Sequence, residues 1–116
     1  TAAALRETFE EIGLPPDRVE VLGSLPVYVT GTSYIVTPVV GLVQPGFTLQ
    51  PNPHEVDDVF EVPLDFLMSP DNLHHVEIVH RGRVRHVLEY SWPGQRIWGA
   101  TAAILYNLRR RLEEVS

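Results

Sequence analysis

Residues 1–16, TAAALRETFEEIGLPP, contain both a helix and the signal that ends it. Ala2, Ala3, Ala4, Leu5 and Arg6 are good helix formers, and Leu5, Phe9 and Ile12 are spaced for one apolar stripe. Gly13 is placed as a C-terminal cap, and Pro15-Pro16 forbid continuation. A helix over residues 2–12 is therefore expected. It carries Glu7, Glu10 and Glu11 at i, i+3 and i+4, so three carboxylates leave one side of it about a turn apart. Such crowding costs roughly 0.2–0.5 kcal/mol per like-charged pair on a bare helix. Two readings meet that cost: a solvated acidic face, or a site for a divalent cation. Mg²⁺ and Mn²⁺ favour hard oxygen ligands, and Mg²⁺ completes its shell with water and phosphate.

Beyond this helix the pattern turns to strands. RVEVLG (18–23) alternates, and TSYIVTPVVGLV (32–43) reads as a longer strand whose apolar run suits a sheet covered on both faces. Pro38 inside it implies an edge position or a bulge. QPGFTLQPNPH (44–54) is a proline-punctuated loop, and VFEVPLDFLM (59–68) gives a short strand and a helical turn. VEIVHRGRVRHVLEYSW (76–92) reads as two strands around a tight turn at Arg81-Gly82. A helix from about Gly99 to Glu114 follows, with Ala102, Leu105, Leu108 and Leu112 on an inward stripe and Arg109, Arg110 and Arg111 favourable for its dipole. Helix, strands, then helix indicate an α+β architecture, a mixed sheet packed between helices.

At 116 residues the chain is one domain's worth, 1–116. A net charge of −6 argues against nucleic-acid binding driven by phosphate contacts, though a metal ion supplies local positive charge for a small anionic substrate. No apolar run approaches the ~20 residues that cross a bilayer, so no membrane partner is expected. No charged-then-apolar leader is present, and the absence of cysteine favours a reducing compartment, the cytoplasm.

RETFEEIGL (6–14) is a more specific word than its charge. It resembles the second half of the Nudix box, Arg-Glu-aliphatic-x-Glu-Glu-x-Gly-aliphatic, with Thr8 the one mild departure. Its five fixed letters arise by accident in about one such chain in ten thousand at average residue usage. The resemblance implies the Nudix fold, an α/β/α sandwich. It also implies that the chain starts inside the box, with the upstream Gly-containing loop, a further glutamate and the N-terminal strands missing. Nudix proteins cleave a diphosphate linked to another group, using Mg²⁺ or Mn²⁺ held on this helix. Carried over by position, Glu10 and Glu11 are metal ligands, Glu7 is a further ligand or the base that deprotonates water, and Arg6 orients a carboxylate through its planar fork. Glu55, in NPHEVDDVFEVPL (52–64), matches the loop acid that several members bring to the metals or the water. It reads equally as an ordinary exposed acid.

GLPPDRVEVLGSLP (13–26), YIVTPVVGLV (34–43), EVDDVFEVPLDFL (55–67) and RIWGATAAIL (96–105) resemble, in order, the coenzyme A diphosphatase branch. That branch splits CoA or acyl-CoA into 3′,5′-ADP and the (acyl-)4′-phosphopantetheine. The alternatives are another nucleoside diphosphate derivative such as ADP-ribose, or a fold kept for binding without turnover. The implied partner is a small nucleoside diphosphate, and a homodimer is among the assemblies such a domain admits. Other features have plain expectations. Trp98 is a core anchor and Tyr34 a packed strand aromatic. His74, His75, His80 and His86 are exposed strand residues without zinc-site spacing. Arg81, Arg83 and Arg85 cluster around the hairpin turn and read equally as contacts for a 3′-phosphate or as an exposed basic edge that discourages strand pairing.

Overall fold

The computed structural model describes residues 1–56 and 59–115, with His80 described in its backbone only. The chain divides into two compact units, Thr1–Glu61 and Val62 onward.

In the first unit, α1 (Ala2–Ile12) ends at Gly13, and a 3-10 turn at Pro16–Arg18 leads into β1 (Val19–Ser24). Then come β2 (Tyr28–Val29), β3 (Ile35–Val36) and β4 (Val39–Val43). β1 pairs antiparallel with β4 from Val19↔Val43 to Ser24↔Val39, with a bulge between Val21 and Gly23. The expected long strand over 32–43 is broken at Thr37-Pro38, because proline has no N–H for a ladder. Its first part pairs with β2 instead, in a hairpin closed by the Tyr34 N–H donating to Thr30 Oγ1. Tyr34 therefore projects from a turn and is 72% exposed, not a packed strand aromatic. Phe9 also departs from its expected stripe and is half exposed, whereas Leu5 and Ile12 are partly covered. Leu14 and Leu25 are the buried apolar residues here.

In the second unit, α2 (Leu64–Met68) and a 3-10 turn at Pro70–Asn72 precede the antiparallel meander β5 (Leu73–His80), β6 (Arg83–Trp92) and β7 (Gln95–Trp98), and α3 (Gly99–Val115) closes the chain. No strand precedes α2 among residues 59–63. Arg81 and Gly82, both at positive φ (52° and 74°), make the two-residue turn between β5 and β6, matching the right-handed twist of the strands. Pro93-Gly94 then starts β7, a strand the sequence reading missed. Alternation along β6 puts Leu88 and Tyr90 on one face, where Leu67, Ile97 and Ala102 join them, with Phe66, Leu73 and Leu105 packed around. The small side chain of Ala102, fully buried, lets α3 approach the sheet closely.

Trp98, expected as a core anchor, faces outward. It pairs with Glu89 across the ladder, and Arg96 stacks over its ring at 4.5 Å while forming an ion pair with Glu89. Among the inward residues expected on α3, Leu112 is 39% exposed, and Arg109 is buried in its neighbourhood instead. Arg109 and Arg111 lie near Glu113 and Glu114, one turn on, so their charge meets side chains before it meets the helix end. The described ladders are all antiparallel and form sheets of two, two and three strands. The α+β class and the helix–strands–helix order are as the sequence indicates.

Tyr90 Oη is buried without a hydrogen-bond partner among the described residues. Burial pushes its phenol above the usual value of 10.0, the positive charge of Arg109 pulls it back, and Tyr106 pushes it up again. A phenol whose folded pKa is raised contributes stability that is whole below about pH 10 and is lost as pH rises through the folded value. The chain has no lysine, so no ammonium side chain adds to the effect in this range. Melting temperature should therefore fall as pH rises above 10, and Tyr90→Phe should flatten that fall in a pH series of thermal melts.

Candidate active site

α1 holds Glu7, Glu10 and Glu11 exposed on successive turns, with Arg6 exposed beside them. Among the described residues, none of these four side chains makes an ion pair or a hydrogen bond. As they stand, no three His, Asp or Glu side chains of the described residues are grouped closely enough to enclose a cation. The donor set nevertheless suits a hard divalent ion: three carboxylates, unpaired, free to turn inward, at a helix end whose carbonyl dipoles add negative potential. Among the described residues, Arg6 pairs with no carboxylate in this arrangement.

Helix propensity and the glycine cap fix where those carboxylates stand. Gly13 adopts the left-handed conformation (φ 74°, ψ 19°) and its N–H donates to Phe9 O at 2.9 Å. Two further orphan carbonyls of the helix end are taken by the loop that follows β4: the Gln50 N–H donates to Ile12 O at 2.8 Å and the Asn52 N–H to Glu11 O at 2.7 Å. Pro51 and Pro53, which carry no N–H, flank Asn52, so the donors the helix needs are the ones this segment retains. Asn52 then builds the next turn. Its Oδ1 accepts from the His54 N–H at 3.0 Å, and its carbonyl accepts from the Glu55 and Val56 N–H groups at 3.0 and 2.9 Å.

Glu55 thus sits in a turn tied by one residue to the peptide of Glu11. Both side chains are exposed. Asp57 and Asp58, in the same acidic stretch, lie outside the described residues. Gln50 and Asn52 escaped the sequence reading. Their signal was an asparagine between two prolines, which marks a turn but not what the turn is tied to.

Thr8 replaces the aliphatic residue of the motif without leaving a polar group unsatisfied. Its hydroxyl donates to Ala4 O at 2.7 Å. With Ala4 and Leu5 it lines a groove of about 170 Å³ whose other walls are Leu14, Val19, Val39, Gly41 and Val43. Thr8 thereby fills the role of an apolar residue on the partly covered side of α1.

The remaining candidates lie elsewhere. His74, His75 and His86 are exposed on β5 and β6, as expected, with His86 Nδ1 3.9 Å from Glu77 Oε1 across the ladder. Arg81, Arg83 and Arg85 are exposed at the turn and on the part of β6 that β7 does not reach, where the strand pairs on one side only among the described residues.

Comparison with known proteins agrees with the short motif. A family model, the NUDIX domain, matches residues 1–87. The chain is 40% identical over 112 residues to NudL, an uncharacterized Nudix hydrolase of Photorhabdus laumondii, covering 97% of this chain and 60% of that protein. It is 43% identical over 108 residues to NudL of Escherichia coli K12, covering 92% and 56%. It is 45% identical over 95 residues to the peroxisomal coenzyme A diphosphatase NUDT7 of Mus musculus, covering 80% and 40%. The chain thus spans 60% or less of the length of these relatives.

A methyl group at Gly13 would stand 3.0 Å from both Cβ and N of Gln50, in a backbone conformation that side chains resist. Gly13→Ala should therefore lower stability by about 1–2 kcal/mol in denaturant melts. It should also speed amide exchange at Gln50 and Asn52, the two donors that hold the loop to the helix.

Proposed function

The chain belongs to the Nudix hydrolase family, and from that premise we propose that it carries the metal-binding helix of an enzyme that hydrolyses the diphosphate of coenzyme A or acyl-CoA. The observation that carries this reading is the helix turn with three unpaired glutamates whose carbonyl end holds the Glu55 turn. The substrate rests on the mouse relative, whose name gives its activity as coenzyme A diphosphatase, and on the extent of likeness outside the motif. The products are then 3′,5′-ADP and 4′-phosphopantetheine, acylated or free.

Glu10 and Glu11 are assigned as the ligands of Mg²⁺ or Mn²⁺, with Glu7 a further ligand or base. A bound divalent ion neutralises phosphate oxygens and lowers the barrier to attack by water. The chain's own groups do the rest. Water attacks one phosphorus, the bridging P–O bond breaks, and the proton of the water passes to a carboxylate, Glu7 or Glu55. Arg6 is the positioning residue, its fork suited to holding one carboxylate by paired hydrogen bonds once the glutamates turn inward. The negative net charge of the chain is no obstacle, since the ion brings the positive charge that an anionic substrate requires. No helix among the described residues is long and apolar enough to cross a membrane.

Incubating the intact protein with coenzyme A and Mg²⁺ or Mn²⁺ should release 3′,5′-ADP, resolved by chromatography. Cleavage of ADP-ribose with coenzyme A left whole would reject the substrate, and absence of divalent-ion binding by titration would leave a module without turnover. The paired substitution Glu10→Gln, Glu11→Gln should lower kcat at least about 100-fold while the circular dichroism spectrum is kept.

Glu55→Gln separates the two candidates for the proton. If Glu55 receives it, kcat should fall on the order of 100-fold or more with metal affinity unchanged, and the acid limb of the pH–rate profile should disappear. Retention of that limb in Glu55→Gln and its loss in Glu7→Gln would move the role to Glu7.

A further inference from the structure

The β5–β6 hairpin of the second unit carries positive charge at its free end that nothing answers. Arg81, Arg83 and Arg85 are three of the nine basic side chains of the chain, and no acid falls between Glu77 and Glu89. All three are exposed, and among the described residues none of them makes an ion pair or a side-chain hydrogen bond. Arg81 stands at φ 52° in the two-residue turn, a place that asparagine, aspartate or glycine fills with less strain. An arginine kept there against its backbone preference points to a use for its charge.

The arginines border backbone that is unanswered too. β6 pairs with β5 from Arg83 to Tyr90, but β7 meets it only from Glu89 to Trp92. Between Arg83 and Leu88 one edge of β6 therefore has no strand beside it among the described residues, and alternate N–H and C=O groups point out along it. Alternation sets Arg83 and Arg85 on one face of that edge and Val84 on the other, where it pairs with Val79 across the ladder. Val84 and Val79 are 60% and 74% exposed. The charge keeps two such edges apart, since arginine would meet arginine. It does not require exposed valines, and it attracts a strand of opposite sign.

We propose that this edge takes an extended acidic segment of another protein as an added strand. Backbone hydrogen bonds to β6 supply affinity, carboxylates on one face of the incoming strand pair with Arg83 and Arg85, and a β-branched side chain on its other face covers Val84. Arg81 extends the positive field at the turn. A phosphate or a lipid headgroup would answer the guanidiniums but leave the β6 amides open, so a peptide is the better match. The surface lies within the second unit, and its use is independent of the carboxylates on α1.

The test is titration of the intact protein with a short capped peptide of alternating threonine and glutamate, followed by calorimetry and amide exchange. The peptide should bind saturably, weaken as salt rises, and slow exchange at alternate amides of β6 between Arg83 and Leu88. A threonine–lysine peptide should not bind. The acidic peptide N-methylated at every residue, its charge unchanged, should bind at least about tenfold more weakly. Arg83→Glu combined with Arg85→Glu should weaken the acidic peptide about tenfold or more and let the threonine–lysine peptide bind in its place. Arg81→Asn suits the turn better, so it should weaken binding about threefold while the melting temperature holds or rises. These variants alter exposed side chains and keep the fold. Absence of saturable binding by the acidic peptide would overturn the proposal. So would equal binding of its N-methylated form, or tighter binding of phosphatidylserine vesicles or 3′,5′-ADP to these arginines than of the peptide.

Discussion

The peptide carbonyls of Phe9, Glu11 and Ile12, and the N–H groups of Gly13, Asn52 and Gln50 that meet them, hold the first unit's candidate chemistry in register. Carbonyls at a helix end have no partners within the helix and must find them elsewhere. Here one is answered by the left-handed glycine and two by a loop nearly forty residues further along the chain. The answer has a functional consequence. The peptide that exposes the Glu11 side chain also anchors Asn52, and Asn52 builds the turn that carries Glu55. An acid from a distant loop is thus tied to the acidic helix through backbone hydrogen bonds, which do not depend on which side chains the loop carries.

The two units reach stability by different routes. The second gathers Leu67, Tyr90, Ile97 and Ala102 into one cluster, with a long hairpin and a 17-residue helix around it. Among its described residues the first has only Leu14 and Leu25 as buried apolar side chains, and α1 has no buried residue at all. Its order rests more on hydrogen bonds at turns and caps than on apolar burial. Residues proposed to hold a cation against a substrate need exposure, and Glu7, Glu10 and Glu11 are all exposed. Thr8 illustrates how narrow the margin is. A hydroxyl on the partly covered side of α1 is tolerated because it returns its hydrogen to Ala4 O.

Much of this was legible in the residues. Alanines, spacing and Gly-x-Pro-Pro located α1 and its end, Arg81-Gly82 located the tight hairpin, and Pro38 warned of the break in the strand at 37–38. The acidic motif located the candidate ligands. What was misread has a common cause. Periodicity reports which residues share a face, not what lies opposite that face. Trp98 looked like an anchor, but ladder pairing with Glu89 set it on the outer side of the meander under Arg96. Leu112 continued an apolar stripe, but the helix runs beyond the residues that cover it, and Arg109 is the side chain taken inside. Tyr34 belonged to an apparent strand that proline cut short.

The sequence by itself determined the first helix, its cap, the closing helix and the family, because those depend on neighbours a few residues apart and on a short word whose letters are chemically demanding. Only the tertiary structure decided that Gln50 and Asn52 close the helix end and that Arg109 is buried while Leu112 is exposed. Both depend on hydrogen bonds and burial between segments far apart in the chain. No local propensity encodes which distant donor will meet a given carbonyl.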